Sequence, residues 1–375
     1  MGCDCRVYGA VIFPKAKCGG KGKANKVKTE YVSMTEEDID EEAISRAGQI
    51  IQKGGLVAFP TETVYGLGGD AWNRESSRRI YAAKGRPQDN PLIVHIAKKE
   101  DAGRVSVGFP ERAMNLADAF WPGPLTMILK KNRDLPNETT GGLDTVAVRF
   151  PSHKIAQALI RAGGGFIAAP SANRSGRPSP TEAKYCREDL DGKVDMIIDG
   201  GPVGIGVEST IVDLTQDVPV ILRPGAITKE MLEKVLGKVE VDRTILVADS
   251  KEKPKAPGMK YRHYAPKGDL TIVEGKQENV ISYINRSLLE AKKKGLKTGV
   301  ICTEETKGQY CADSIKSAGP RCDEEKTAKE LFRILREFDD EGCEEMYSES
   351  FSEEGIGMAV MNRLMKAAGQ HVVHV

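Results

Sequence analysis

An α/β protein built in two units is what this sequence predicts, and three observations carry the prediction. The chain has 375 residues, more than one ordinary core organises. Short apolar runs that read as buried strands alternate with stretches of helical spacing, before and again after a Lys- and Pro-rich segment, Val247 to Gly268. Several of these runs end in loops of Ser, Thr, Asn, Arg and Gly, which is where open α/β sheets place their ligands. Bulk properties narrow the class further. A composition 40% hydrophobic and 29% charged is that of a globular protein, and no apolar stretch nears the roughly 20 residues of a membrane helix. A formal net charge of +1 argues against coating nucleic acid by bulk charge. The eight cysteines, scattered from Cys3 to Cys343 without a CxxC pair, read as free thiols in a cytoplasmic protein rather than as a disulfide framework or zinc site.

In chain order, residues 1–34 read as a disordered basic tail, because Lys15 to Lys28 is rich in Lys and Gly and lacks apolar periodicity. Order is expected from Thr35. Ile39, Ala43, Ala47, Ile50 and Ile51 give Asp38 to Gln52 helical spacing, and Lys53-Gly54-Gly55 stops it. Gly55 to Phe59 is a buried strand that breaks at Pro60 and delivers Thr61, Glu62, Thr63 and Tyr65 just past its end. Gly66, Gly68 and Gly69 let backbone approach closely, and Asn73 to Ala83 suits a short helix. The loop KGRPQDNP follows, stiffened by Pro87 and Pro91, and LIVH resumes as a strand ending on His95. Two cations on a rigid loop, Lys84 and Arg86, facing a hydroxyl-lined turn suggest a polyanion held beside a small polar molecule.

Helices are expected over Glu111–Phe120 and Ser152–Ala162, and strands over Leu125–Leu129, Thr145–Arg149, Phe166–Ala169, Asp195–Asp199 and Ile211–Leu214. The strand Phe166–Ala169 runs into PSANRSGRPSPT, a second polar loop. Neither GxGxxG opening a helix nor GxxxxGK[ST] occurs, so a dinucleotide fold and a P-loop are unsupported. Taken singly, His95 reads as a structural histidine and Thr61 and Thr63 as turn residues.

Read together and in order, PTETVYGLG, KGRPQDNPLIVH, WPGPLT, VAVRFPSH, APSAN, ESTIVD and RPG resemble the threonylcarbamoyl-AMP synthases, and PGMKYRHYAP resembles the interdomain linker of that family's two-domain form. The resemblance implies a twisted, mixed-sheet YrdC-like catalytic domain over 35–240, a linker over 241–268 that folds across the cleft, and a small doubly wound, Rossmann-like accessory domain over 269–375. It implies synthesis of L-threonylcarbamoyladenylate from L-threonine, bicarbonate and ATP, with Mg²⁺ travelling on ATP and no metal ligand supplied by the protein. The product would pass to a tRNA threonylcarbamoyl transferase complex, with at most a weak tRNA contact and no membrane partner. The implied threonine pocket is Thr63, His95, Arg149, the main chain of Ala169, and Ser209. The implied ATP site is Arg86, Asn90, Thr145, Ser171, Asn173, Ser179, Arg223 and Tyr264, with Lys84 and Arg86 as the catalytic cations. These residue types suit that chemistry, since an arginine fork can grip a carboxylate with paired bonds and cations stabilise a leaving pyrophosphate.

After the linker the pattern restarts. Leu270–Val273 and Thr298–Cys302 read as strands, and Asn279–Lys293, Thr327–Phe338 and Ile356–Ala368 as helices. Two other function classes fit parts of the pattern. One is a module that binds double-stranded RNA or tRNA in a basic concave face, which the near-neutral charge disfavours. The other is a carbamoyltransferase-type domain of the kind found in hydrogenase maturation proteins, whose acylphosphatase unit and zinc-finger cysteines this sequence lacks.

Overall fold

A computed structural model describes residues 27–245 and 263–375. The first sheet has eleven strands: β1 (Glu30–Ser33), β2 (Val57–Phe59), β3 (Gly66–Asp70), β4 (Ile93–His95), β5 (Leu125–Lys130), β6 (Thr145–Arg149), β7 (Ile167–Ala169), β8 (Met196–Asp199), β9 (Thr210–Asp213), β10 (Val220–Arg223) and β11 (Glu240–Val241). They lie in the order β1-β8-β2-β3-β7-β4-β6-β5-β9-β10-β11, with parallel and antiparallel pairs mixed. Thus β4 runs parallel to β6 and antiparallel to β7.

Side chains alternate faces along a strand, and here the alternation separates core from site. Val94, Val146, Val148 and Ala168 enter the large core with Ile80, Leu116 and Ala117 of the covering helices. The intervening residues Ile93, His95, Arg149 and Ala169 face a cleft instead. Register places His95 beside Arg149, and Ile93 beside Ala169. The helix Arg74–Lys84 is capped at both ends: the Asn73 side chain accepts from the Glu75 and Ser76 amides, and Gly85 closes it in the left-handed region at φ 63. That C-terminal turn is what presents Lys84 and Arg86 to the same cleft.

The second sheet is parallel throughout: β12 (Asp269–Glu274), β13 (Thr298–Cys302), β14 (Ser314–Ser317), β15 (Glu345–Glu349) and β16 (Val372–His374), ordered β14-β13-β15-β12-β16. Val273, Val300 and Tyr347 pack on the helix Gln277–Lys293. Leu270, Ile272, Ile301 and Met346 face the helices Glu324–Glu341 and Gly357–Ala367 on the other side. A mixed sheet followed by a doubly wound parallel one is the architecture the sequence predicts. The second core does not stop at the domain edge, because Val64, Val207 and Tyr264 belong to the same cluster as Leu331, Phe332 and Leu364.

One expectation needs correction. Residues 27–34 are not tail: β1 pairs with β8, and Thr29 Oγ1 donates to the Val194 carbonyl at 2.8 Å. The Lys-rich composition hides an edge strand whose side chains are mostly exposed. The glycine run after Tyr65 is the interior strand β3, and its backbone approaches its neighbours closely, since a Cβ on Gly68 would lie 2.7 Å from Ile167 Cγ2. The polar segment Ala183–Leu190 is a helix. Residues 1–26 and 246–262, which include most of the proposed tail and most of the linker, lie outside the described residues. No described helix is long and apolar enough to cross a membrane.

Candidate active site

The cleft spans about 660 Å³ of empty space, open solvent included. One end is built on β2, β4 and β6. Thr61 Oγ1 donates to the Val64 carbonyl at 2.6 Å and lies 2.9 Å from Thr63 Oγ1, which fixes both hydroxyls in the turn after β2. Arg149 Nη1 donates to Thr63 Oγ1 at 2.9 Å. Its Nη2 lies 2.8 Å from Glu62 Oε1 but without hydrogen-bond alignment, so Nη2 and both Glu62 oxygens are buried with no directed partner. A buried guanidinium with an unmade bond is costly, and a planar carboxylate is the acceptor its fork matches.

His95 stands beside it, 4% exposed, with Nδ1 3.1 Å from the Ile93 carbonyl. Burial first, and then the Arg149 charge, push its pKa down to about 3, so the ring is neutral near pH 7. Protonation therefore favours the unfolded chain, whose histidine titrates near 6.5, and stability is lost as pH falls from about 6.5 toward about 3. By about pH 4.5 this one ring is expected to cost roughly 2–3 kcal/mol relative to neutral pH. Urea unfolding of wild type and His95→Gln measures it. The glutamine variant loses correspondingly less stability on acidification, and parallel pH profiles for the two proteins would refute a dry, neutral imidazole.

Three more cations, Lys84, Arg86 and Arg223, line the same cleft. Lys84 Nζ donates to the carbonyls of Ser171 and Asn173, both at 2.5 Å, and to Asn173 Oδ1 at 3.3 Å. Burial and then the neighbouring Arg86 hold its pKa well below the usual lysine value. Arg86 Nε donates to the Asn90 carbonyl, and its Nη2 to Asn90 Oδ1 at 2.6 Å and the Pro91 carbonyl at 3.1 Å. Arg223 Nε donates to the Ser209 carbonyl at 3.0 Å, and Nη2 to Ser209 Oγ at 3.1 Å. Burial lowers the Arg223 pKa to about 10, with the nearby Glu208 charge opposing.

Of the residues singled out from the sequence, Thr63, Lys84, Arg86, His95, Arg149, Ala169, Ser171, Asn173, Arg223 and Tyr264 line the cleft. Asn90, Ser179 and Ser209 stand behind the lining and brace it: Asn90 holds Arg86, Ser179 Oγ donates to Glu208 Oε1 at 2.6 Å, and Ser209 holds Arg223. Thr145 opens β6 opposite Lys130 and is not part of the lining. Tyr264 arrives from the far side of the linker. It sits at φ 64, its ring 5.0 Å from Phe332, while the Ala265 amide donates to the Gly176 carbonyl at 2.9 Å. His263 is buried beside it, with Nε2 unpartnered.

Sequence reasoning missed Glu208 and Arg363. Glu208 is the carboxylate of the lining, and Arg363 Nε donates to its Oε2 at 3.0 Å. A signal for the second existed: Arg363 falls in the apolar stripe of Ala359, Val360, Leu364 and Ala367, where a charge needs a buried partner. Among the described residues no group of three or more His, Cys, Asp or Glu side chains is placed to hold a metal ion. Glu208 itself is engaged through both oxygens.

Comparison with known proteins fits this geometry. Residues 49–225 match the family model described as telomere recombination, and residues 227–369 match the model for the C-terminal domain of threonylcarbamoyl-AMP synthase. The chain is 48% identical to the threonylcarbamoyl-AMP synthase of Bacillus subtilis over 350 residues, covering 93% of this chain and 99% of the relative. It is also 48% identical to that of Pyrococcus abyssi over 339 residues, covering 90% and 98%. The crystal structure of P. abyssi Sua5 complexed with L-threonine superposes with a TM-score of 0.86 at 46% identity, covering 92% of this chain and 99% of that one.

Proposed function

The chain belongs to the threonylcarbamoyl-AMP synthases, and from that membership we propose that it forms L-threonylcarbamoyladenylate from L-threonine, bicarbonate and ATP, releasing pyrophosphate. The observation that carries the proposal is the content of one cleft: a buried arginine with an unmade bond, in the same lining as Lys84, Arg86 and Arg223. The Arg149 fork takes the threonine carboxylate, with Thr63 and neutral His95 on either side. The threonine amine adds to the carbon of bicarbonate and water leaves, giving a carbamate. A carbamate oxygen then attacks the α-phosphorus of ATP, and the bond to the β-phosphoryl oxygen breaks. Charge accumulates on the departing pyrophosphate, where the three cations sit, so catalysis is mainly positioning and electrostatic stabilisation. His95, with its pKa so far below neutrality, orients substrate rather than serving as a general base. Mg²⁺ enters as part of the nucleotide and keeps its own water shell.

The product is a mixed anhydride and needs a prompt acceptor. We propose that it passes to a transferase that modifies adenosine in tRNA, with the enzyme working in the cytoplasm. Pyrophosphate release tests the reading. It is expected only when threonine, bicarbonate and ATP are all present, and release that persists without threonine or without bicarbonate would overturn it.

A further inference from the structure

The second domain contributes no residue from its sheet or helices to the cleft lining, yet two of its arginines are wholly buried against the first domain. Arg336 donates to the Pro178 carbonyl and to Asp189 Oδ2. Arg363 is placed differently, because its partners are the segments that carry the phosphate-side cation. Its Nε donates to Glu208 Oε2 at 3.0 Å, its Nη2 to the Glu208 carbonyl at 3.3 Å, and its Nη1 to the Pro224 carbonyl at 2.6 Å. Glu208 precedes Ser209, which holds Arg223, and Pro224 follows Arg223. One guanidinium therefore holds both the residue that follows Arg223 and the residue that precedes its hydrogen-bond partner Ser209.

Glu208 makes this grip consequential. It is 6% exposed and lines the cleft. A buried carboxylate there would repel a polyphosphate and would draw the nearest cation to itself. Arg363 supplies the counter-charge from behind and, with Ser179, takes up both carboxylate oxygens. Burial pushes the Glu208 pKa up, but Arg363 and then Arg223 outweigh it and bring the value to about 2, so the charge is permanent. Lys366, one helical turn beyond Arg363, has its pKa lowered to about 7 by burial, then by Arg363 and Arg223, which places it in the same cluster.

We propose that Arg363 is a positioning residue for ATP: by neutralising Glu208 and pinning the Ser209 and Pro224 segments, it leaves the Arg223 charge directed at the phosphates, and this is what the second domain does for catalysis. The proposal rests on the ATP-dependent reading above. It makes the second domain part of the nucleotide site without its touching the nucleotide.

The experiment compares wild type, Arg363→Met, Glu208→Gln and the double variant by calorimetry with a non-hydrolysable ATP analogue and, separately, L-threonine. Thermal melting confirms folding in each. Arg363→Met is expected to weaken the nucleotide by at least about tenfold, with threonine affinity within about threefold. Adding Glu208→Gln is expected to recover most of that loss, because the unpaired carboxylate is then gone. A purely structural role for Arg363 predicts no such recovery. Nucleotide affinity unchanged in Arg363→Met, or a double variant no better than the single one, overturns the proposal. If Arg363→Met alone fails to fold, the folded double variant decides: wild-type-like nucleotide affinity supports the proposal and a loss of at least about tenfold overturns it. Wild type that fails to bind the analogue overturns the functional reading and the proposal with it.

Discussion

Replacing Arg149 with alanine is expected to weaken L-threonine binding by two orders of magnitude or more, roughly 3 kcal/mol, while the ATP analogue binds within a few-fold of wild type. The split follows from the placement of Arg149 on β6 beside Thr63, while Lys84 and Arg86 stand together at the end of the Arg74–Lys84 helix. Part of the loss comes from Glu62, whose carboxylate is buried 2.8 Å from Arg149 and would be left without a counter-ion. Arg149→Lys separates the two contributions. It keeps a charge near Glu62 but not the fork, so its threonine affinity should fall by only about tenfold. Calorimetry that finds threonine affinity unchanged in Arg149→Ala would remove this arginine from the substrate site.

Lys84→Ala is expected to lower pyrophosphate release by two orders of magnitude or more at saturating substrates, on the scale of losing a preorganised charge at the transition state. The change also reaches the fold, though less than it reaches turnover, because the buried ammonium joins the end of the Arg74–Lys84 helix to the Ser171 and Asn173 carbonyls of the polar loop. Orphaned buried acceptors cost about 1–3 kcal/mol each, so melting should fall by several degrees as well. Release close to wild type in a protein that melts early would make Lys84 a strut and not a catalytic cation.

How much of this was legible depends on distance along the chain. The strands of the site could be read because period-two alternation and a terminal polar residue are local features, as in IVH ending on His95 and TVAVR ending on Arg149. Helix ends were legible for the same reason, Asn73 and Gly85 being a cap and a left-handed turn within one segment. β3 was not, because its glycines are chosen by the bulk of Ile167 and Phe59 on neighbouring strands, and nothing within GLGGD records those neighbours. Motif order found the residues that line the cleft together with those that brace it, but could not tell them apart: Asn90 sits in the same run as Arg86, Ser209 in the motif before that of Arg223, and only the folded chain shows which of each pair stands behind. Arg363 lay furthest from view, since its partner is 155 residues away.

That separation has a consequence for how the protein is made. Asp189 and Glu208 leave the ribosome 147 and 155 residues before Arg336 and Arg363, the cations that neutralise them. At about 5–20 residues per second, the interval is roughly 7–30 s. Throughout it the first domain holds two carboxylates destined for burial with no counter-charge from the second, and the apolar surface of Val64 and Val207 has no partner helix. Until the second domain is synthesised and docks, the Glu208 and Pro224 segments lack the Arg363 contacts that hold them, and Asp189 has Arg177 alone of its two arginines.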